Sequence, residues 1–174
     1  SDGLRTSDMT DMFNGSLDRY DFKLVGKQEM YVPYNSYRLK SSGAKLSEII
    51  KRNHINPDYL RYELHRVWVV DATLKPGKRH INPRRTFYVD EDSWQILVLD
   101  HYNAQGEVWR YSEAPAINYY EVPVFWTAME NSHDLQSGRY LATGVDNEDS
   151  PADFSFQSSL ENFTPQALRT RGVR

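Results

Sequence analysis

The sequence has no cysteine among its 174 residues, and that absence excludes disulfide frameworks, thiolate metal sites and thiol catalysis together. It has no apolar run approaching the roughly 18 residues of a membrane-spanning helix. It has no surplus of positive charge: 21 Lys and Arg against 24 Asp and Glu give a net charge of −3, which argues against a general nucleic-acid binder. It lacks the glycine motifs of nucleotide sites, with no G-x-G-x-x-G and no P-loop, and it has no G-x-S-x-G nucleophile elbow. No internal repeat and no low-complexity tract is found. The 39% hydrophobic and 26% charged composition is that of one globular domain, well away from the compositions that stay disordered.

What the chain has in quantity is aromatic residues on alternating segments. Tyr62–Leu74 alternates cleanly: Tyr62, Leu64, Arg66, Trp68, Val70, Ala72 and Leu74 on one face, and Glu63, His65, Val67, Val69, Asp71 and Thr73 on the other. At about 3.3 Å per residue such a strand is about 40 Å long, a length suited to a curved sheet or barrel. Further strands are expected within Tyr20–Tyr34, at Arg85–Val89, Trp94–Tyr102, Glu107–Ser112, Asn118–Ala128 (with Pro123 at an edge or bulge) and Arg139–Val145. Tight turns at Lys75-Pro76-Gly77-Lys78, Asp90-Glu91-Asp92-Ser93 and Asn103-Ala104-Gln105-Gly106 connect them as an antiparallel meander. Leu46–Asn53 reads as two helical turns, and Thr164-Pro165 as the start of a short C-terminal helix. The expected fold is therefore mainly β, a curved antiparallel sheet with a few short helices. Residues 1–19 form an extended lead-in, 20–146 the sheet domain and 147–174 a C-terminal extension packed on it.

The large rings either fill a core or line a hydrophobic cavity. As cavity wall the candidates are Tyr62, Leu64, Trp68, Phe87, Trp94 and Trp109. Arg66 interrupts an apolar face, so it is either ion-paired in the core or placed at the cavity wall. Lys75, Lys78, Arg79, Arg84 and Arg85 crowd one connection. That cluster either solubilises a loop and guards a strand edge, or meets anionic lipid head groups or an acidic partner. The five histidines form no metal-ligand spacing, so no metal site is expected. His65 and His101 stand beside carboxylates but read as strand residues, and Asp90-Glu91-Asp92 reads as a solvated hairpin tip. No nucleophile arrangement emerges, and the reading is non-enzymatic with no cofactor.

Several longer blocks carry a resemblance. Asp11-Met12-Phe13-Asn14-Gly15, Tyr31–Leu39, Asn56–Val70, Tyr88–Ile96 and Asp153-Phe154 through Phe163-Thr164-Pro165 resemble an uncharacterised secreted proteobacterial family described as outer-membrane lipoprotein-sorting-protein-like. The resemblance implies a longer protein with a signal peptide, of which this chain is the C-terminal part. It implies an incomplete barrel similar to the lipoprotein carriers LolA and LolB, and a location in the periplasm or at the periplasmic face of the outer membrane. The implied partners are a lipid, lipoprotein acyl chain or other hydrophobic ligand, and an envelope transporter of the resistance-nodulation-division class. With the N-terminal part missing, the cavity is either open or completed by a second copy of the chain as a homodimer, and peripheral membrane contact is the expectation attached to the basic connection. The family brings no catalytic residues to carry over. The expected role is a carrier or chaperone, the alternative being a partner-binding scaffold of an envelope complex.

Overall fold

The alternation over Tyr62–Leu74 becomes one strand with those bounds, β4. A computed structural model of the chain describes residues 3–150 and 152–172. Before β4 come β1 (Tyr20–Pro33), the one-turn helix α1 (Leu46–Ile49), and the short pair β2 (Ile50–Lys51) and β3 (His54–Ile55). After it come β5 (Arg84–Asp90), β6 (Ile96–Tyr102), β7 (Val108–Glu113), β8 (Ala116–Tyr119), β9 (Val124–Thr127), β10 (Glu130–Asp134), β11 (Tyr140–Thr143) and α2 (Pro165–Arg171). Seven strands form one open antiparallel sheet in the order β1-β4-β5-β6-β7-β10-β11. No helix among the described residues is long and apolar enough to cross a membrane.

The sheet curls. In the strand order β5 and β6 separate β4 from β7, so a flat sheet would hold the two about 14 Å apart. Yet the Tyr62 hydroxyl donates to Glu113 Oε2 at 2.8 Å, and just past β1 the Ser36 N–H donates to the Ala116 carbonyl at 3.0 Å. The far end of the β1–β4 pair therefore arches over the sheet. Beneath it Val32, Val67, Leu97 and Ala116 lose all contact with solvent. The crossover from Tyr34 to Arg61 covers the same face farther on, where Leu39, Ile49 and Ile55 pack with Ile117, Met129, Tyr140 and Ala142.

The lead-in covers the opposite face. Met12 and Phe13 pack on Tyr20, Phe87, Leu99 and Ala114, and the Arg110 guanidinium donates to the Gly3 carbonyl at 2.7 Å. The two faces of β6 are thus both covered, as its apolar middle requires: Leu99 lies under the lead-in and Leu97 under the arch of β1 and β4.

Three local expectations need correction. Leu46–Asn53 makes only the single turn α1, because Ile50 leaves the helix to pair with Ile55. Asn118–Ala128 is not one strand: β8 and β9 pair as a hairpin (Ala116 with Thr127, Tyr119 with Val124), with Pro123 in the turn. A further strand, β10, enters between β7 and β11. Its sequence, Glu130-Asn131-Ser132-His133-Asp134, carries no aliphatic side chain. Polar and ring contacts hold it: Asn131 Nδ2 donates to Glu113 Oε1 at 3.0 Å, and the Ser132 and Ser112 hydroxyls lie 2.8 Å apart. The His133 ring stacks between Tyr111 (4.7 Å) and Tyr140 (5.2 Å) across three strands. The helix start at Thr164 matches expectation, its Oγ1 accepting from the Ala167 N–H at 3.2 Å.

Glu113 sits at the centre of this arrangement, buried and holding both Tyr62 and Asn131. Burial pushes its carboxyl above the ordinary value of 4.5, against the hydrogen bonds from Asn131 and Tyr62. A raised carboxyl means that the folded state binds the proton more tightly, so this group withdraws stability as pH rises above 4.5. Glu113→Gln keeps a partner for both neighbours and removes the charge. Urea unfolding is expected to show the variant at least as stable as the parent at pH 8, and to gain on it between pH 5 and 8. A variant that loses ground over that interval would contradict the buried-acid account.

Candidate functional site

The lead-in covers its face of the sheet over β5, β6 and β7 but leaves the outer pair, β1 and β4, largely bare. The register sets what is displayed there: Phe22 opposite Ala72, Leu24 opposite Val70, Lys27 opposite Trp68, Glu29 opposite Arg66 and Tyr31 opposite Leu64. The register shifts between Leu24 and Gly26, so Val25 is an extra residue in β1. That bulge reverses the alternation of the strand. Without it Phe22 and Leu24 would face away from Tyr31. Gly26 takes the positive φ of 147° that the bulge demands.

The result is a strip of apolar side chains about 33 Å long. Leu24 is 60% exposed, Tyr31 68% and Leu64 56%, and Trp94, from the turn after β5, is 69% exposed. Trp94 reaches back to stack on Trp68, ring centres 6.5 Å apart and 20° from parallel. Tyr62 and Phe22, both exposed, mark its two ends. Across the middle runs an ion-pair clamp. Glu91 accepts from Lys27 Nζ and from Arg66 Nε, each at 2.6 Å, and the Lys27 ammonium lies 4.2 Å from the Trp68 ring centre. The hydrogen bond from Lys27 and then that from Arg66 hold the Glu91 carboxyl below its usual range. With Glu29 opposite Arg66 on the same face, two cations and two carboxylates balance across the strip between two apolar ends.

The structure gathers four of the six expected wall residues here: Tyr62, Leu64, Trp68 and Trp94. It separates the other two. Phe87 is buried in the core beneath the lead-in, edge-on to Phe13 at 5.3 Å. Trp109 donates its indole N–H to Asn82 Oδ1 at 3.3 Å, and the Arg110 guanidinium lies 4.0 Å from its ring centre. Arg66 is paired, but at the exposed surface and not in a core. The basic connection is not a free cationic patch either. Lys75 lies 3.7 Å from Asp21, Lys78 2.8 Å from Asp18 and Arg84 2.7 Å from Asp71, while Arg79 is exposed. Arg85, expected at a head-group or partner surface, is wholly buried: its Nη2 donates to Asp8 Oδ2 at 2.6 Å, and it stands against the Tyr20 ring at 5.0 Å. Phe22, Leu24 and Tyr31 were missed as strip residues. The one signal for them is Gly26 inside a β-forming run, the mark of a bulge.

The strip can hold the apolar length of a ligand along two strands, with the ion-paired clamp at its middle. It offers no enclosed cavity, since the space under the arch is filled by Val32, Val67, Leu97 and Ala116.

An uncharacterized protein of Pseudomonas aeruginosa is 57% identical over the whole of this chain, which spans 38% of that relative's length. Two solved structures are similar to the chain at low identity. One is a domain from Vibrio parahaemolyticus provisionally named an outer membrane lipoprotein-sorting protein (TM-score 0.47, 11% identity, 92% of this chain and 52% of that one). The other is a DUF1329 family protein from Desulfovibrio piger (TM-score 0.45, 14% identity, 95% of this chain and 58% of that one). Residues 1–169 match the family described as protein of unknown function, DUF1329, and the chain belongs to that family.

Proposed function

We propose that this chain is the non-catalytic carrier module of a longer envelope protein and holds an acyl chain or other hydrophobic ligand against the β1–β4 strip. One observation carries the reading. The opposite part of the same sheet face is sealed by the lead-in, while Leu24, Tyr31, Leu64 and Trp94 stay exposed side by side. A contiguous apolar surface of this kind, crossed by a charged clamp, is what a binding site displays and what an unliganded monomer avoids. In this reading the ligand lies on the strip and not inside a barrel. Tyr62, Leu64, Trp68 and Trp94 form the contact surface, and Arg66 with Lys27 meets the polar end of the ligand. A periplasmic location and a transporter partner belong to the same proposal and rest on the family resemblance.

Native mass spectrometry of the purified chain, followed by organic extraction, tests it. The expected result is a bound acyl species of defined mass, or its uptake from vesicles when the chain is purified empty. A chain that arrives empty and takes up nothing would overturn the carrier reading. A second reading has its own support. Among the described residues β1, 14 residues long, pairs with β4 alone, and an open edge of that length can accept a strand from a partner. Binding of an envelope partner that survives loss of the strip's side chains would favour it.

A further inference from the structure

We propose that His65, Asp90 and Asp92 form a binding site for one divalent first-row transition-metal ion, of the zinc class. The three residues come from β4, the end of β5 and the turn beyond it, so no linear spacing announces them. One ligand atom from each lies within 4.8 Å of the others.

The arrangement around them is that of a supported metal site. His65 presents Nδ1 to Asp90 Oδ1 at 2.9 Å and Nε2 to Glu63 Oε2 at 3.4 Å. Two ligands of a tetrahedral zinc-class ion, each about 2.05 Å from it, are about 3.3 Å apart, so an ion can replace the proton shared by His65 and Asp90 if the pair opens by a few tenths of an ångström. Glu63 then acts as the outer carboxylate that fixes the ring's tautomer, the usual support of a metal-bound histidine. Glu63 is itself held by Asn35 at 2.8 Å and by Arg61. Asp90 is fully buried, and its other oxygen accepts from the Ser93 N–H at 2.9 Å and the Ser93 hydroxyl at 2.6 Å. Tyr34 lies against the imidazole, ring centres 4.0 Å apart. Asp92 is exposed and leaves one side open to water.

Charge balance points the same way. Glu91 is neutralised by Lys27 and Arg66, and Glu63 by Arg61. Asp90 and Asp92 add two further carboxylates beside the imidazole. The site is built for a cation, and a soft-to-borderline nitrogen beside two carboxylates prefers a transition ion to calcium. Such an ion would clip the end of β4 to the turn that carries Glu91 and Trp94.

The test is zinc titration by calorimetry of the full chain after stripping with chelator. One zinc ion per chain is expected to bind, with calcium failing to compete. His65→Gln is expected to abolish that binding. Asp92→Asn, at an exposed position that folding does not require, is expected to weaken it by at least about tenfold, and Glu63→Gln by about 10- to 100-fold. His54→Gln, in the exposed β2–β3 hairpin, is expected to leave it unchanged. No zinc uptake, uptake that survives both His65→Gln and Asp92→Asn, or equal competition by calcium would each overturn the proposal.

Discussion

Asp8→Asn is expected to cost about 3–5 kcal/mol of folding stability, because it strands a buried guanidinium. Arg85 has no solvent exposure, and its charge-bearing partner is Asp8, with His80 beside both. The Tyr20 and Phe13 rings cover the guanidinium, at 5.0 and 5.6 Å. Burial works against a charged Asp8, yet hydrogen bonds from Thr6 and Arg85 and the Arg85 charge hold its carboxyl well below the ordinary 3.8. A depressed carboxyl contributes stability that is complete above its unfolded value and is lost as pH falls through its folded one. Acid should therefore weaken the parent below pH 3.8, and Asp8→Asn should lack that part of the acid sensitivity. Urea unfolding at neutral pH reads the cost. The double change Asp8→Leu with Arg85→Met should be less damaging than Asp8→Asn, since it removes both charges together. A loss under 1 kcal/mol for Asp8→Asn would mean that the lead-in does not depend on this pair.

That dependence was not legible in the sequence. The opening residues are polar and without period, and they read as a simple extended lead-in. Their anchors are scattered: Leu4, Met9 and Met12 are buried one at a time, and the ionic anchor joins residues 77 apart. Strand existence was legible because alternation and tight turns are local, and β4 appears with the bounds its pattern predicts. β10 was not, since it is held by cross-strand polar pairs and a ring stack where apolar burial was the signal sought. Half of the strip was visible in β4. The other half lay beyond the bulge at Val25, where counting by twos assigns side chains to the wrong face. The hairpin tip illustrates the same limit, for Asp90 reads as a solvated turn residue but is fully buried against His65 and Ser93.

Replacing Tyr31 and Leu64 together by Thr should separate binding from folding. The two side chains are cross-strand partners on the strip, and each is more than half exposed in the free chain. Thr keeps strand propensity, so the folded state loses only an exposed pair worth about 0.2–1 kcal/mol. A ligand lying on the strip loses more. Covering a large apolar side chain completely is worth about 1.5–3 kcal/mol, and roughly half of each is left to cover here. The pair then contributes about 1.5–3 kcal/mol to binding, or about 10- to 100-fold in Kd. Phe87→Ala supplies the contrast: it opens a cavity beneath the lead-in at about 3–5 kcal/mol of stability, with no contact to the strip's ligand. Titration with a fluorescent fatty acid, paired with urea unfolding, reads both quantities on each variant. If Tyr31→Thr/Leu64→Thr binds like the parent while remaining folded, the ligand does not lie on this surface. If binding falls only in proportion to stability across all variants, the strip is structural. The carrier reading requires the two measurements to part company at Tyr31 and Leu64 and to move together at Phe87.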